Sequence, residues 1–190
     1  MRTETVVLLG LLLVVLVYGV TLYNGLVQLK NDVAKAWANI DVVLKQRHDE
    51  LPKLVEVCKQ YKQFEQSTLQ AVIEARSRVQ SAREEQNVPA LSRAEGTLRA
   101  GLGQIFAVAE AYPELKANDN FMQLQQRITS LEGLISDRRE LYNECVNLNN
   151  TRVESVPDSI LARLFNFKEK PLLEFEASEK ADVDMRQLFS

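Results

Sequence analysis

The 190-residue sequence holds only two cysteines, one histidine, one tryptophan, seven glycines and five prolines. Two cysteines as far apart as Cys58 and Cys145 cannot build a disulfide framework or a cysteine-rich metal site. Both read as small core residues, which fits a reducing compartment. One histidine leaves no pair of imidazoles for a zinc or di-iron site, and no G-x-S-x-G accompanies it as a nucleophile motif. His48, Asp49 and Glu50 are consecutive, so regular structure cannot turn all three toward one ion, and they read as a solvated turn. The glycines near residue 100 have no strand before them and no lysine after them in the place a phosphate loop requires. A formal net charge of −3 without a basic stripe argues against nucleic-acid binding, where phosphate neutralisation dominates affinity. The expectation is no cofactor, no metal, no nucleic acid and no catalytic set.

What the sequence does have is one long uncharged run. After Arg2 and Glu4 no charge occurs until Lys30. The apolar stretch from Val6 to Tyr23, at 1.5 Å per helical residue, approaches the ~30 Å hydrocarbon layer of a bilayer. A signal peptide would have a shorter run and a small-residue cleavage site. Val17 and Gly19 fit that pattern weakly, and the apolar character continues past them. The reading taken is a retained anchor over residues 1–25, with Tyr18 and Tyr23 at its interfacial end; the alternative is an exported soluble body released by cleavage. Lys30, Lys35, Lys45 and Arg47 follow the span, so the charge bias leans toward an inner (cell) membrane protein with a short outer N-terminus and a cytosolic body.

Beyond the anchor, residues 26–157 read as all-α: an antiparallel up-down-up-down four-helix bundle. The first soluble helix carries a stripe of Leu22, Leu26, Leu29, Val33, Trp37, Ile40 and Leu44. Trp37 lies ~20 Å past Tyr23, too far for an interfacial belt, and is expected in the core with a partner for its indole N–H. His48–Pro52 is expected to be a turn, because Pro suits a first helical turn. A second helix should then run from about Pro52 to Arg83, with Leu54, Cys58, Tyr61, Phe64, Val72 and Val79 inward. A third, from about Ala90 to Ala111, offers Gly96, Ala100, Gly103 and Ala107 for close helix approach. The fourth, from about Asn120 to Val153, has the seam Leu124, Ile128, Leu131, Ile135, Arg138, Tyr142, Cys145, Asn149 and Arg152. Glu65, Glu110 and Glu132 lie nearest the inner faces, and Arg76, Arg127 or Arg138 are their expected partners. Residues 158–190 read as a short amphipathic segment and a loosely ordered tail.

Several of these stretches resemble the LemA family of bacterial membrane proteins. They are YNGLV at 23–27, NDVAKAWANIDV at 31–42, LKQRHDELP at 44–52, LVEVCKQY at 54–61, AEAYPELKANDNFMQLQ at 109–125, and RRELYN at 138–143. Together they cover most of residues 23–157. Cys58 departs from the pattern, where a Thr or another small residue is expected. The resemblance implies a single N-terminal membrane helix and a helical-bundle body facing the cytosol. It implies no agreed activity; relatives have been linked to envelope processes and membrane-organelle formation.

Two candidate surfaces follow. The turn from Tyr112 to Phe121 groups Tyr112, Pro113, Asn118, Asn120 and Phe121, a set that could bind a peptide or loop. The competing reading, which the sequence favours, has Asn118–Asn120 capping the fourth helix and Phe121 stapling the turn to the core. After the fourth helix, Ile160, Leu161, Leu164 and Phe165 can share a face of a short helix with Arg163 and Lys168 beside it. That set suits either contact with the membrane interface or a lid on the bundle core. The function expected is a membrane-anchored interaction or scaffold module, bound to lipid by its anchor and to an unknown protein partner or to itself. The alternative is a ligand-binding protein or enzyme using the polar half around Arg138 and Tyr142.

Overall fold

A computed structural model describes residues 3–61 and 64–174, and among them the regular structure is entirely helical. The elements are α1 (Thr3–Lys59), α2 (Gln66–Glu84), α3 (Val88–Ala109), α4 (Pro113–Lys116), α5 (Asp119–Glu154) and α6 (Asp158–Leu164). Two compact units result. One combines the chain up to Ile40 with Arg138–Leu172; the other combines Asp41–Asp137 with the chain from Leu173 on.

The expected turn at His48–Pro52 is absent: α1 runs through it to Lys59, with Pro52 in its interior. Proline removes the N–H that would bond the carbonyl four residues back, at a cost of about 3 kcal/mol. That carbonyl belongs to His48, and it accepts a hydrogen bond from Arg76 Nε of α2 at 3.0 Å instead. Leu44, Leu51, Leu54, Val55 and Cys58 continue one buried stripe across the proline. Each such leucine contributes about 1.5–3 kcal/mol on burial, which outweighs the local defect. The chain reverses after Lys59, where Tyr61 N–H bonds the Cys58 carbonyl at 3.1 Å. The second helix is therefore Gln66–Glu84, although Leu54, Cys58, Phe64, Val72 and Val79 are all buried as expected.

At the end of α2 the N–H of Asn87 bonds the Ala82 carbonyl at 2.9 Å and that of Gln86 bonds the Arg83 carbonyl at 3.1 Å. This is a Schellman turn with Gln86 in the left-handed region at φ 52°. Asn87 Oδ1 then accepts from Ala90 N–H at 3.1 Å, capping α3. The small-residue face of α3 is not the expected one. Of the four expected residues Gly96 is buried, but Ala100, Gly103 and Ala107 are exposed; a close approach is made by Gly101, where an added Cβ would come within 2.9 Å of Val72 Cγ2. Leu91, Leu98, Leu102 and Ile105 decide which face turns inward, because their burial gains more than any small-residue contact.

The start of α5 is set by Asn118, whose Oδ1 accepts the Phe121 N–H at 3.1 Å. Its buried positions are Phe121, Ile128, Leu131, Ile135, Arg139, Tyr142, Val146 and Asn149. Past Ile135, Tyr142 and Asn149 are buried as expected, but Arg138 is exposed and Cys145 half-buried, and their neighbours Arg139 and Val146 are buried in their place. A helix with 3.6 residues per turn needs steps of four more often than steps of three, and Ile135 to Arg139 is one of them.

In the first unit, Trp37 is half-buried rather than enclosed, packing edge-on to Tyr142 at 5.8 Å between ring centres. Gly25 leaves room for the Arg152 guanidinium, which lies 3.2 Å from where a Cβ would stand. Arg152 also bonds Asp158 Oδ1 through Nε and Nη2, at 3.1 and 2.7 Å. The helix α6 ends in a second Schellman turn: Phe167 N–H bonds the Ala162 carbonyl at 2.9 Å, with Asn166 at φ 58°. Beyond it Asn149 Nδ2 donates to the Lys168 carbonyl and Tyr142 Oη to the Pro171 carbonyl. Asn150 pairs with both backbone groups of Lys170, accepting from its N–H at 2.8 Å and donating to its carbonyl at 2.9 Å. The tail past Glu174, including Phe175, lies outside the described residues.

Candidate functional site

The turn between α3 and α5 divides its five candidate residues. Tyr112 is half-buried and tilted against Phe64 at 5.9 Å. Pro113 and Asn120 are exposed, Pro113 as the first residue of α4. Asn118 is spent locally, capping α5 through Oδ1 and donating Nδ2 to Tyr61 Oη at 3.3 Å. That hydroxyl in turn donates to the Glu114 carbonyl. Phe121 is buried edge-on to Phe106.

The most strongly polar feature of the second unit was not anticipated. Arg47 is 0% exposed. Its Nη2 bonds Glu95 Oε1 and its Nη1 bonds Glu132 Oε1, both at 2.5 Å. Glu132 Oε2 also accepts from Arg99 Nε at 3.1 Å. The four charges sum to zero and tie α1, α3 and α5 together. Burial pulls the Arg47 guanidinium pKa down, but the two carboxylates outweigh it and leave the pKa above its ordinary value. Such a group neither gives nor takes protons, so the cluster is a structural lock. The sequence carried its signal: Arg47 sits three residues after Leu44 and four before Leu51, and Glu95 sits four after Leu91 and three before Leu98. Only Glu132 of the expected acids belongs to it. Glu65 bonds Ser67 and Thr68, Glu110 is exposed, and Arg127 pairs with Glu50 at 3.0 Å.

His48 lies within α1, not in a turn, and is half-buried. Its Nε2 stands 2.6 Å from Arg76 Nη2. Because guanidinium nitrogens only donate, Nε2 accepts, and the ring proton is on Nδ1. Burial first, and the Arg76 charge second, push its pKa below the usual histidine value. Burial pushes the Cys58 thiol up to about 12, which makes it inert as a nucleophile near neutrality. Of the polar half around Arg138 and Tyr142, Arg138 is exposed and the Tyr142 hydroxyl donates to the Pro171 carbonyl.

The helix α6 presents a different kind of surface. Ile160 is 64%, Leu164 72% and Phe165 52% exposed, with Arg163 and Lys168 also exposed, while Leu161 is half-buried. The Phe165 ring meets Tyr23 edge-on at 4.8 Å, and Phe167 meets it at 5.9 Å. Tyr23 ends the apolar run of α1, so the exposed apolar face of α6 stands beside that end.

The LemA family matches this chain over residues 36–186. Magnetosome protein MamQ 2 of Paramagnetospirillum magneticum is 28% identical over 100 residues, which is 53% of this chain and 37% of that protein. Protein LemA of Metamycoplasma hominis is 24% identical over 166 residues, 87% of this chain and 74% of that protein. The chain thus spans just over a third of the MamQ relative and about three quarters of the LemA relative. With most of its length matched by the family, and with the stretches AWANID and AYPELKANDNF inside that match, the chain belongs to the LemA family.

Proposed function

We propose that this chain is a single-span membrane protein that holds a non-enzymatic helical module at the cytosolic face of the cell membrane. One observation carries the reading: the large apolar side chains from Val6 to Val20 are each between 50% and 69% exposed, on a helix long and apolar enough to cross a bilayer. None of the described residues covers them, and lipid is the surrounding that would. The module is read as an antiparallel four-helix bundle of α1, α2, α3 and α5. Support comes from the Arg47 cluster joining three of these helices and from Arg76 joining α2 to α1. Its role is interaction, with a protein partner or with a second copy. Leu141 and Leu148 are exposed seven residues apart along α5, the spacing by which one helix meets another in a coiled coil.

The test uses cysteine-free variants in intact cells. Full-length chain should stay with membranes through alkaline extraction, and a cysteine at exposed Ser77 should react with a membrane-impermeant maleimide only after lysis. A cysteine at Leu141 should form a crosslinked adduct in membranes. Release by alkali would remove the anchor; labelling of intact cells would reverse the orientation; absence of any Leu141 adduct would remove the α5 surface.

A further inference from the structure

The Schellman turn after α6 and the adjacent Asn149 and Asn150 of α5 do more than secure the chain. By gripping the backbones of Lys168 and Lys170, Asn149 and Asn150 fix where those two residues stand. Together with Lys30 of α1 they line a recess of about 500 Å³, walled on one side by Tyr23, Phe165 and Phe167. Asn31 and Asn149 add amides to it, and none of the described residues lining it is acidic. In a chain with net charge −3, three lysines around one recess run against the mean. Among the described residues no carboxylate pairs with any of the three ammonium groups.

Position gives the recess its meaning. Tyr23 marks the end of the apolar run, and Lys30 is seven residues, about 10 Å of helix, beyond it. The polar zone of a bilayer leaflet is about 5–8 Å deep outside the hydrocarbon core. The aromatic wall therefore lies at the level where acyl chains meet glycerol, and the Lys30 backbone just outside the polar zone, from which its long side chain reaches back to the phosphates. The exposed Ile160, Leu164 and Phe165 give α6 an apolar face for the same boundary.

We propose that this recess binds the headgroup of an anionic phospholipid in the membrane that α1 spans. The phosphate meets Lys30, Lys168 and Lys170, and the upper acyl chains lie against Tyr23, Phe165 and the face of α6. The assignment rests on the reading of α1 as a membrane span, but not on which side the body faces.

The experiment is native mass spectrometry of the full-length protein in mild detergent, offered equal amounts of phosphatidylglycerol and phosphatidylcholine. Each basic residue at an anionic surface is worth about a fivefold gain in affinity, so phosphatidylglycerol should be retained at least roughly tenfold over phosphatidylcholine. Replacing Lys30→Gln, Lys168→Gln and Lys170→Gln together should bring the ratio close to one, with the helical circular dichroism unchanged. A charge-matched control at exposed Lys45→Gln, Lys59→Gln and Arg78→Gln should keep the preference. Equal retention by the unmodified chain, a preference that survives the triple change, or one that the control also loses would overturn the proposal. Displacement of the lipid by millimolar glycerol 3-phosphate would instead make the ligand a soluble phosphate ester and overturn the lipid assignment. Alkaline extraction of the same unmodified protein reports separately on the span, so its failure is distinguishable from failure of the site.

Discussion

The two stretches of α1 on either side of Tyr23 are opposites in the same helix. From Val6 to Val20 the side chains are apolar all round and all the large ones are exposed. From Leu26 to Cys58 the buried apolar residues form a stripe on one side of the helix, including Leu26, Val33, Ile40, Leu44, Leu51, Leu54 and Cys58, with Arg47 fully enclosed among them. The more hydrophobic stretch is thus the less covered by protein. A stripe can be matched by a neighbouring helix, whereas a helix apolar on every side needs a surrounding that is apolar on every side. The two stretches should accordingly treat an arginine in opposite ways.

Removing the arginine from the second stretch should have the largest effect. Arg47→Met leaves Glu95 buried and Glu132 half-buried without their shared cation, and breaking a buried pair costs about 3–5 kcal/mol. Thermal unfolding of full-length protein in detergent should register this as a large drop in midpoint. Adding Glu95→Leu and Glu132→Met should restore much of the loss, since no carboxylate is then stranded and Arg99, which gives up Glu132, is half-buried with access to water. Adding an arginine to the first stretch should also be costly, by a different route. Leu12→Arg costs about 2.5–3.5 kcal/mol of membrane insertion and should move chain out of the membrane fraction. In detergent it should leave the unfolding midpoint of the body unchanged. An Arg47→Met protein that melts like the unmodified one would end the contrast.

The long apolar helix at the N-terminal end and the stripe of α1 were readable because both are properties of a single segment. Both ends of α5 were readable to within one residue, because Asn118 and the break at Val156–Pro157 are local signals. Three things were not. The passage of α1 through Pro52 depends on Arg76, a residue twenty-four positions away whose role exists only in the folded chain. The Arg47 cluster depends on two acids from other helices, and a lone arginine reads by default as solvated. The inward face of α3 was assigned from its small residues, when the leucines decide it. The residues of α6 were found from their own pattern, but their place beside Tyr23 came from the turn at Asn166. The lysine recess was invisible because Lys30 and Lys168 are far apart in sequence.

Within the second stretch, the proline offers a sharper test of what holds a helix to its neighbours. Arg76→Leu strands the His48 carbonyl and Nε2, a loss of about 1–3 kcal/mol. In a Pro52→Ala background the helix regains its own N–H for that carbonyl, so the same change should cost about 1 kcal/mol less. Equal costs in both backgrounds would mean that Arg76 does not substitute for the missing bond. The same contact makes stability depend on pH. Arg76 and the more distant Arg83 and Arg47 oppose protonation of His48, with Asp49 the one acid favouring it. With its folded pKa lowered, His48 binds its proton more readily in the unfolded chain. Its contribution is complete above the ordinary value of about 6.5 and is lost as pH falls from there through the folded pKa. The melting midpoint should therefore fall on acidification across that window, and His48→Gln should flatten the fall.

The smallest expected effects compare one helix end from each unit. Both α2 and α6 close with a Schellman turn whose left-handed position is not glycine: Gln86 at φ 52° and Asn166 at φ 58°. The left-handed region places Cβ against the following carbonyl at a cost of about 1–2 kcal/mol for an ordinary residue. Asparagine tolerates it better, because its short amide can bond locally. Glycine escapes the clash but gives the unfolded chain more freedom to lose, which takes back part of the gain. Gln86→Gly should therefore stabilise the protein by up to about 1 kcal/mol, seen as a small rise in melting midpoint. Asn166→Gly should leave the midpoint within error, but Asn166→Val should lower it and also loosen the placement of Phe167 against Tyr23. A β-branched side chain is the one this turn accepts least. If Gln86→Gly and Asn166→Gly shift the midpoint equally, the asparagine at the end of α6 relieves no strain, and the turn that sets the lysine recess is held by Asn149 and Asn150 alone.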